Sequence, residues 1–311
     1  MAITAAQVKE LRELTGAGMM DCKKALTETN GDMDAAVEEL RKKGAAKAEK
    51  KASRIAAEGL CRIASDGDKK AAVVEVNSET DFVAKNEKFQ NYVEDVAQQV
   101  LASSAADLET FMAEKWAKDT SKTVEEELVS QIAVIGEKLS IRRFERVENA
   151  SGCVVTYTHG GGRIGVIVSA DTAAVNDDVK EALNNIAMQI AALNPKYISE
   201  KDITPEYIAH EKEILLEQIK NDPKESQKPE KVIQGMVEGR VKKQLKEICL
   251  MDQVYVKAED GKQTVSKYLE SVSKAAGSDI TISSFVRFET GEGIEKKEED
   301  FAAEVASQLG N

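Results

Sequence analysis

Aromatic side chains are scarce in this 311-residue chain: seven Phe, six Tyr and one Trp. Ala, Val, Ile and Leu must therefore fill the interior, and wide stacking platforms for nucleic-acid bases are excluded. Histidine is rarer still, with only His159 and His210. A Ser-His-Asp triad or a histidine-rich zinc site would have to use one of these two, and neither has a nucleophile nearby in sequence. Four cysteines, Cys22, Cys61, Cys153 and Cys249, stand far apart. No CxxC pair exists, so a zinc knuckle or redox couple is not indicated and buried reduced thiols are expected. Apolar runs fall well short of the roughly 18 residues of a membrane span, and the N-terminus lacks a secretory pattern. The chain reads as cytoplasmic. A surplus of positive charge is also missing: 43 basic residues face 55 acidic ones, a net charge of −12. Broad phosphate neutralisation is thereby disfavoured. What remains, 42% hydrophobic and 32% charged residues, is globular rather than disordered composition. The length suits about two domains.

Helical signals open the chain. Thr4 and Gln7 form a capping box ahead of a stripe of Val8, Leu11 and Leu14. A second helix is expected from Met19 to Thr29, and a third from Asp32 as cap to a stop at Gly44. Leu11, Leu14, Leu26 and Leu40 should close this small core. Residues 41–54 carry seven basic side chains against Glu49. An acidic partner would suit this stretch, as would a solvated helical linker; without interleaved aromatics the linker is favoured.

A strand–turn–strand–helix unit then occurs twice. Gly59–Ala64, Asp66-Gly67-Asp68, Ala71–Val76 and a helix bearing Phe89, Val93 and Val96 make the first. Gly152–Tyr157, His159–Arg163, Ile164–Val168 and a helix bearing Val179, Leu183 and Ile186 make the second. Gly59 aligns with Gly152 and Val73 with Val166 at a spacing of 93, Val93 with Leu183 at 90, so the second connection is three residues shorter. Helices are expected near 106–118 and 123–139. Two amphipathic helices follow, one opened by Thr204-Pro205, the other carrying Val237, Val241 and Leu245, and the short break between them implies an antiparallel hairpin. A strand at 280–288 and a last helix with Phe301, Ala302, Val305 and Leu309 end the chain.

The glycines at 160–162 join two strands, so they are not a phosphate loop, and Gly291-x-Gly293 lacks the third glycine of a dinucleotide fingerprint. One loop is unusual: Thr80-Asp81-Phe82-Val83 offers an acid and an aromatic, while its counterpart Asp171–Ala174 has no aromatic. On composition alone, Phe82 folds into the core and Asp81 caps the loop. The repeat argues the other way, because the shared fold does not need an aromatic there.

Residues 11–26, Leu-Arg-Glu-Leu-Thr-Gly-Ala-Gly-Met-Met-Asp-Cys-Lys-Lys-Ala-Leu, resemble the N-terminal signature of the bacterial elongation factor Ts family. Glu79-Thr-Asp-Phe-Val-Ala-Lys-Asn86 resembles its second signature; Arg163–Val166, Met236–Arg240 and Arg287–Lys296 also match. The resemblance runs end to end and implies an α+β architecture. A three-helix domain similar to ubiquitin-associated domains, with the basic linker, would span 1–54. Duplicated α/β core subdomains would span 55–140 and 141–200, an antiparallel coiled coil 201–250, and the completion of the core with a C-terminal module 251–311. The implied activity is guanine-nucleotide exchange on elongation factor Tu, with no bond chemistry, no cofactor, no metal of its own, and no direct contact with nucleic acid or membrane. Thr80, Asp81, Phe82 and Val83 would dislodge the partner's Mg²⁺. Met19, Met20, Lys23, His159, Arg163, Met236 and Val237 would contact the partner.

Overall fold

The computed structural model describes residues 3–295. In chain order the elements are α1 (Ala5–Thr15), α2 (Met19–Glu28), α3 (Met33–Lys51), β1 (Glu58–Asp66), β2 (Lys70–Ser78), α4 (Asp81–Ala84), α5 (Glu87–Ala102), α6 (Leu108–Ala113), β3 (Lys115–Trp116), β4 (Asp119–Thr123), α7 (Val124–Ile135), β5 (Ser140–Glu148), β6 (Gly152–His159), β7 (Ile164–Asp171), α8 (Asp177–Leu193), α9 (Pro205–Asn221), α10 (Glu230–Ile248), α11 (Val265–Ala276) and β8 (Thr281–Glu289). The last helix expected from the sequence lies outside the described residues.

Helix α1 starts with the expected capping box at Thr4, and Asp32 caps α3 by accepting the Ala35 N–H. Leu11, Cys22, Leu26 and Ala36 are buried among α1–α3, with Leu40 packed at the edge. Leu14 does not join them; it is 67% exposed. Nor does Gly44 end the third helix, which runs on to Lys51. Gly44 is buried against α7, where an added Cβ would lie 3.4 Å from Ala133 Cβ. The basic stretch is thus largely the second half of α3 laid along the core, not a free linker.

Two three-stranded antiparallel sheets, ordered β1-β2-β5 and β6-β7-β8, form the centre. Cys61, Ala71 and Val73 of one meet Val154, Ile167 and Phe288 of the other in a shared apolar layer. The opposite face of the first sheet packs on Phe89, Val93 and Val96 of α5, and that of the second on Val179, Leu183 and Ile186 of α8. Sheet faces sheet, and helices cover the outside.

The duplication extends further than the sequence pattern indicates. Both edge strands paired to the central ones carry a bulge: Arg142 of β5 is the extra residue opposite Glu75/Val76, and Ser283 of β8 the one opposite Ser169/Ala170. The second strands therefore correspond at a spacing of 94, not 93. Buried Gln99 of α5 brackets the chain through Lys115 O and Ala117 N, both at 2.8 Å. Buried Gln189 of α8 does the same with Val254 O (3.1 Å) and Val256 N (2.7 Å). Between each pair sits a buried aromatic, Trp116 or Tyr255. Threonine-capped helices of 12 residues follow, each closed by a left-handed glycine, Gly136 or Gly277, and then a nine-residue strand, β5 or β8. The α9–α10 hairpin is inserted into the second copy, with its own core of Ile219, Val237, Val241 and Leu245. The helix expected over 106–118 is only α6, because Gln99 holds the chain extended at 115–117.

Gly59 and Gly152 occupy matching places where strands cross closely. A Cβ on Gly59 would sit 2.2 Å from Val76 O, and one on Gly152 1.9 Å from Ala170 O. Neither backbone atom can swing aside as a side chain would. Gly152→Ala should cost about 1–3 kcal/mol or more, as overpacking does, read as a Tm lower by several degrees. An unchanged melting curve would show that the crossing relaxes freely.

Candidate functional site

The segment between β2 and α5 is longer than its counterpart between β7 and α8. Asn86 caps α5 by accepting Lys88 N–H, and Asn176 caps α8 by accepting Val179 N–H. Residues 79–85 precede the first cap, but only 173–175 precede the second when Ser78 is matched with Thr172. The first copy thus holds four extra residues, and the short helix α4 lies within them. The fold is complete without this turn, as the second copy demonstrates.

Thr80 begins the turn. Its Oγ1 accepts the Val83 N–H at 3.3 Å, and its carbonyl accepts the Ser78 hydroxyl at 3.1 Å. Thr80, not Asp81, is therefore the cap. Ala84 is buried and Val83 packs at the edge of the same core. One turn of helix with those residues facing inward leaves Phe82 facing outward. Phe82 is 81% exposed, so it does not fold into the core. Asp81 pairs with Lys85 at 2.6 Å. The Lys85 ammonium holds its carboxyl below the ordinary aspartate value.

The turn is fastened from below. Glu137 Oε2 accepts the N–H groups of Glu79 and Thr80, each at 3.0 Å, and its Oε1 accepts the Thr80 hydroxyl at 2.6 Å. In return Glu79 Oε1 accepts the Lys138 N–H at 2.6 Å. Sequence reasoning missed this pair, since 57 positions separate Thr80 from Glu137 and both carboxylates are ordinary in an acidic chain.

The other predicted residues lie elsewhere. Met19 and Met20 start α2 and are exposed, close in sequence to exposed Leu14; Lys23 is exposed one turn on. His159 ends β6, its Nδ1 2.9 Å from the Tyr157 hydroxyl. Arg163 follows the glycine turn and lies 3.6 Å from Glu289. The turn has positive φ at Gly160, Gly161 and Gly162. Met236 is half-buried on α10, and Val237 is only 7% exposed inside the hairpin. Val237 packs in the hairpin core with Ile219, Val241 and Leu245. These residues do not converge on one cavity. A cleft of about 630 Å³ between the N-terminal helices and α7 is lined by Leu14, Val37, Lys47, Val129 and Val134, away from Phe82.

Among the described residues no group of three or more His, Cys, Asp or Glu is placed to hold a metal ion. All four cysteines are buried and unpaired. Burial pushes the Cys61 and Cys249 thiols up to about 11, which keeps them protonated and unreactive. No helix among the described residues is long and apolar enough to cross a membrane.

These features define a mixed α+β protein, built by internal duplication, that holds apolar side chains out on a short loop and at helix ends. The family model described as Elongation factor TS matches residues 79–292. Elongation factor Ts of Clostridium perfringens (strain SM101 / Type A) is 54% identical over 309 residues, covering 99% of each chain. The protein of the same name from Clostridioides difficile (strain 630) is 51% identical over 308 residues, and that from Clostridium tetani (strain Massachusetts / E88) 48% over 308, again with 99% of each chain covered. The chain belongs to the elongation factor Ts family, whose members are factors of translation elongation.

Proposed function

We propose that this chain is a guanine-nucleotide exchange factor that binds elongation factor Tu and speeds its release of GDP. The observation that carries the reading is Phe82, a large apolar side chain held out to solvent on a turn that the duplicated fold does not need. The Thr80–Val83 turn enters the GTPase near its bound Mg²⁺ and dislodges that ion, and GTP then rebinds. Residues 1–54 dock through Met19, Met20 and Lys23, and the second core subdomain docks through the His159–Arg163 turn. Residues 55–140 carry the exchange turn, 141–200 the second subdomain and 201–250 the coiled coil with Met236, while 251–311 comprise the completion of the core, within the described residues to 295, and a C-terminal module.

Coupling sets the energetics. A factor that binds the GDP-free GTPase better than the GDP form must weaken GDP by the same ratio. Each 1.4 kcal/mol of such preference is about tenfold, and burying one Phe supplies roughly 1.5–3 kcal/mol. Phe82 therefore acts together with the other contacts. No bond is made or broken, so no catalytic group is required, and the factor acts in the cytoplasm without cofactor, nucleic acid or membrane.

The test is release of a fluorescent GDP analogue from the matching elongation factor Tu. Substoichiometric factor should raise the release rate saturably with GTPase concentration; no acceleration would end this reading. Titration with tRNA at physiological salt should reveal nothing tighter than non-specific binding, roughly 10⁻⁴–10⁻⁶ M, because the basic side of α3 is partly neutralised: Lys43 pairs with Glu28 and Lys47 with Asp21. Nanomolar tRNA affinity would favour a nucleic-acid function instead.

A further inference from the structure

We propose that Glu137 is the positioning residue of the Phe82 turn: its carboxylate fixes the foot of the turn, so that Phe82 is presented before the partner arrives. This deepens the exchange reading and rests on it.

The geometry is specific. One carboxylate takes both backbone N–H groups that enter the turn and the Thr80 hydroxyl that caps it. The Glu79 carboxylate answers by accepting the Lys138 N–H, and it also faces the Arg54 guanidinium at 3.3 Å. Lys138 Nζ reaches the Arg54 carbonyl at 2.8 Å, and Lys51 at the end of α3 reaches the Gly136 carbonyl. Three segments distant in sequence meet here: the end of α3, the foot of the turn, and the link from α7 to β5. Anionic acceptors make the stronger class of hydrogen bond.

The second copy supplies the comparison. Ser278 follows left-handed Gly277 as Glu137 follows Gly136, and Thr172 corresponds to Ser78. There the two hydroxyls lie 3.4 Å apart, and no carboxylate reaches across. The longer acid is found only in the copy with the extra residues. That turn has little apolar anchorage, since only Val83 and Ala84 face inward. Without a clasp its ordering entropy would be charged to every encounter. The apparent affinity of a binder falls by the fraction of molecules in the competent form.

Four proteins are compared in the GDP-release assay: the Glu137→Ala, Glu137→Gln and Glu137→Asp variants, and Phe82→Ala. Glu137→Ala should raise the half-saturating GTPase concentration about tenfold or more, the loss of charge-assisted bonds, with a smaller change in the limiting rate. Hydrogen exchange at amides 79–84 should quicken while the strands β1, β2 and β5 keep their protection. Glu137→Gln retains one oxygen for the two N–H groups and offers its amide NH₂ to Thr80 Oγ1 but loses the charge assistance, so it should restore part of the wild-type behaviour. Glu137→Asp keeps the charge but falls short by a methylene, so it should stay impaired. If Glu137→Ala does not fold, the Asp and Gln variants still decide: both impaired with Asp the worse, or Asp alone impaired, supports positioning, while Gln the more impaired, or both normal, overturns it. Slow exchange by Phe82→Ala beside a normal Glu137→Ala refutes the clasp alone. Normal exchange by Phe82→Ala refutes the reading beneath it.

Discussion

Phe82→Ala should slow GDP release from elongation factor Tu by about 10–150-fold and leave the melting temperature nearly unchanged. The rate effect is the burial of one Phe in the complex, roughly 1.5–3 kcal/mol, converted at 1.4 kcal/mol per factor of ten. The missing stability effect follows from its 81% exposure. Exposed truncations away from special features stay within about 0.5 kcal/mol, whereas a Phe removed from a core costs about 3–5 kcal/mol. Both quantities are to be measured on one sample. A large drop in Tm with normal exchange at low temperature would place Phe82 among the structural residues. Asp81→Asn is the companion variant. It keeps the shape while releasing Lys85, which lies 2.6 Å away, and so separates the charge of the turn from its apolar contact.

Much of the scaffold was legible because local signals and tertiary packing agree. The caps at Thr4, Asp32 and Thr204 are used as read. The alternating strands β1, β2, β6 and β7 fall where the pattern put them. Strand β5 was not visible: Ser-Ile-Arg-Arg-Phe-Glu-Arg-Val-Glu has three arginines and two glutamates, and two of those arginines, Arg142 and Arg143, turn to a buried acid. Helix α3 passes through Gly44, whose backbone stays helical and packs against Ala133 and Val129 of α7. Leu14 fitted the helical stripe, yet the stripe turned out of the small core at the last turn of α1. In the candidate site, the oddity of the Asp-Phe turn was readable from its absent counterpart. Its direction was not, since one helical turn offers inward and outward faces equally; Val83 and Ala84 took the inward one. The Glu137 clasp depends on a contact across the whole first copy, which no local pattern encodes.

The acid that awaits those arginines is Glu75, and its replacement should have the largest effect on stability. Glu75 lies in β2 with 0% exposure. Arg142 and Arg143 of β5 approach its two oxygens at 3.0 and 2.6 Å. The Asn77 amide donates at 3.0 Å, and the Gly291 N–H, from the turn after β8, at 2.8 Å. The arginines continue to that turn: Arg142 donates to Glu292 O, and Arg143 to Glu289 O and the Glu292 carboxylate. One carboxylate of the first copy thereby holds the end of the second. Burial alone would raise its pKa, but the Gly291 N–H, the Asn77 amide and the two guanidiniums outweigh burial and hold it below the ordinary 4.5. Glu75→Gln keeps the shape and removes the charge, leaving Arg142 without its carboxylate partner and Arg143 with only that of Glu292. Breaking a buried pair from one side costs about 3–5 kcal/mol, which at about 2–4 °C per kcal/mol lowers Tm by roughly 6–20 °C. The effect has a defined pH dependence. Because the folded pKa is depressed, the carboxylate's contribution is fully present well above pH 4.5 and is lost as pH falls through the folded value. Urea unfolding of both proteins from pH 7 to pH 3 should therefore show a wide stability gap at neutral pH that narrows below pH 4.5. A gap of constant width across that range would mean that shape, not charge, holds the two copies together at Glu75.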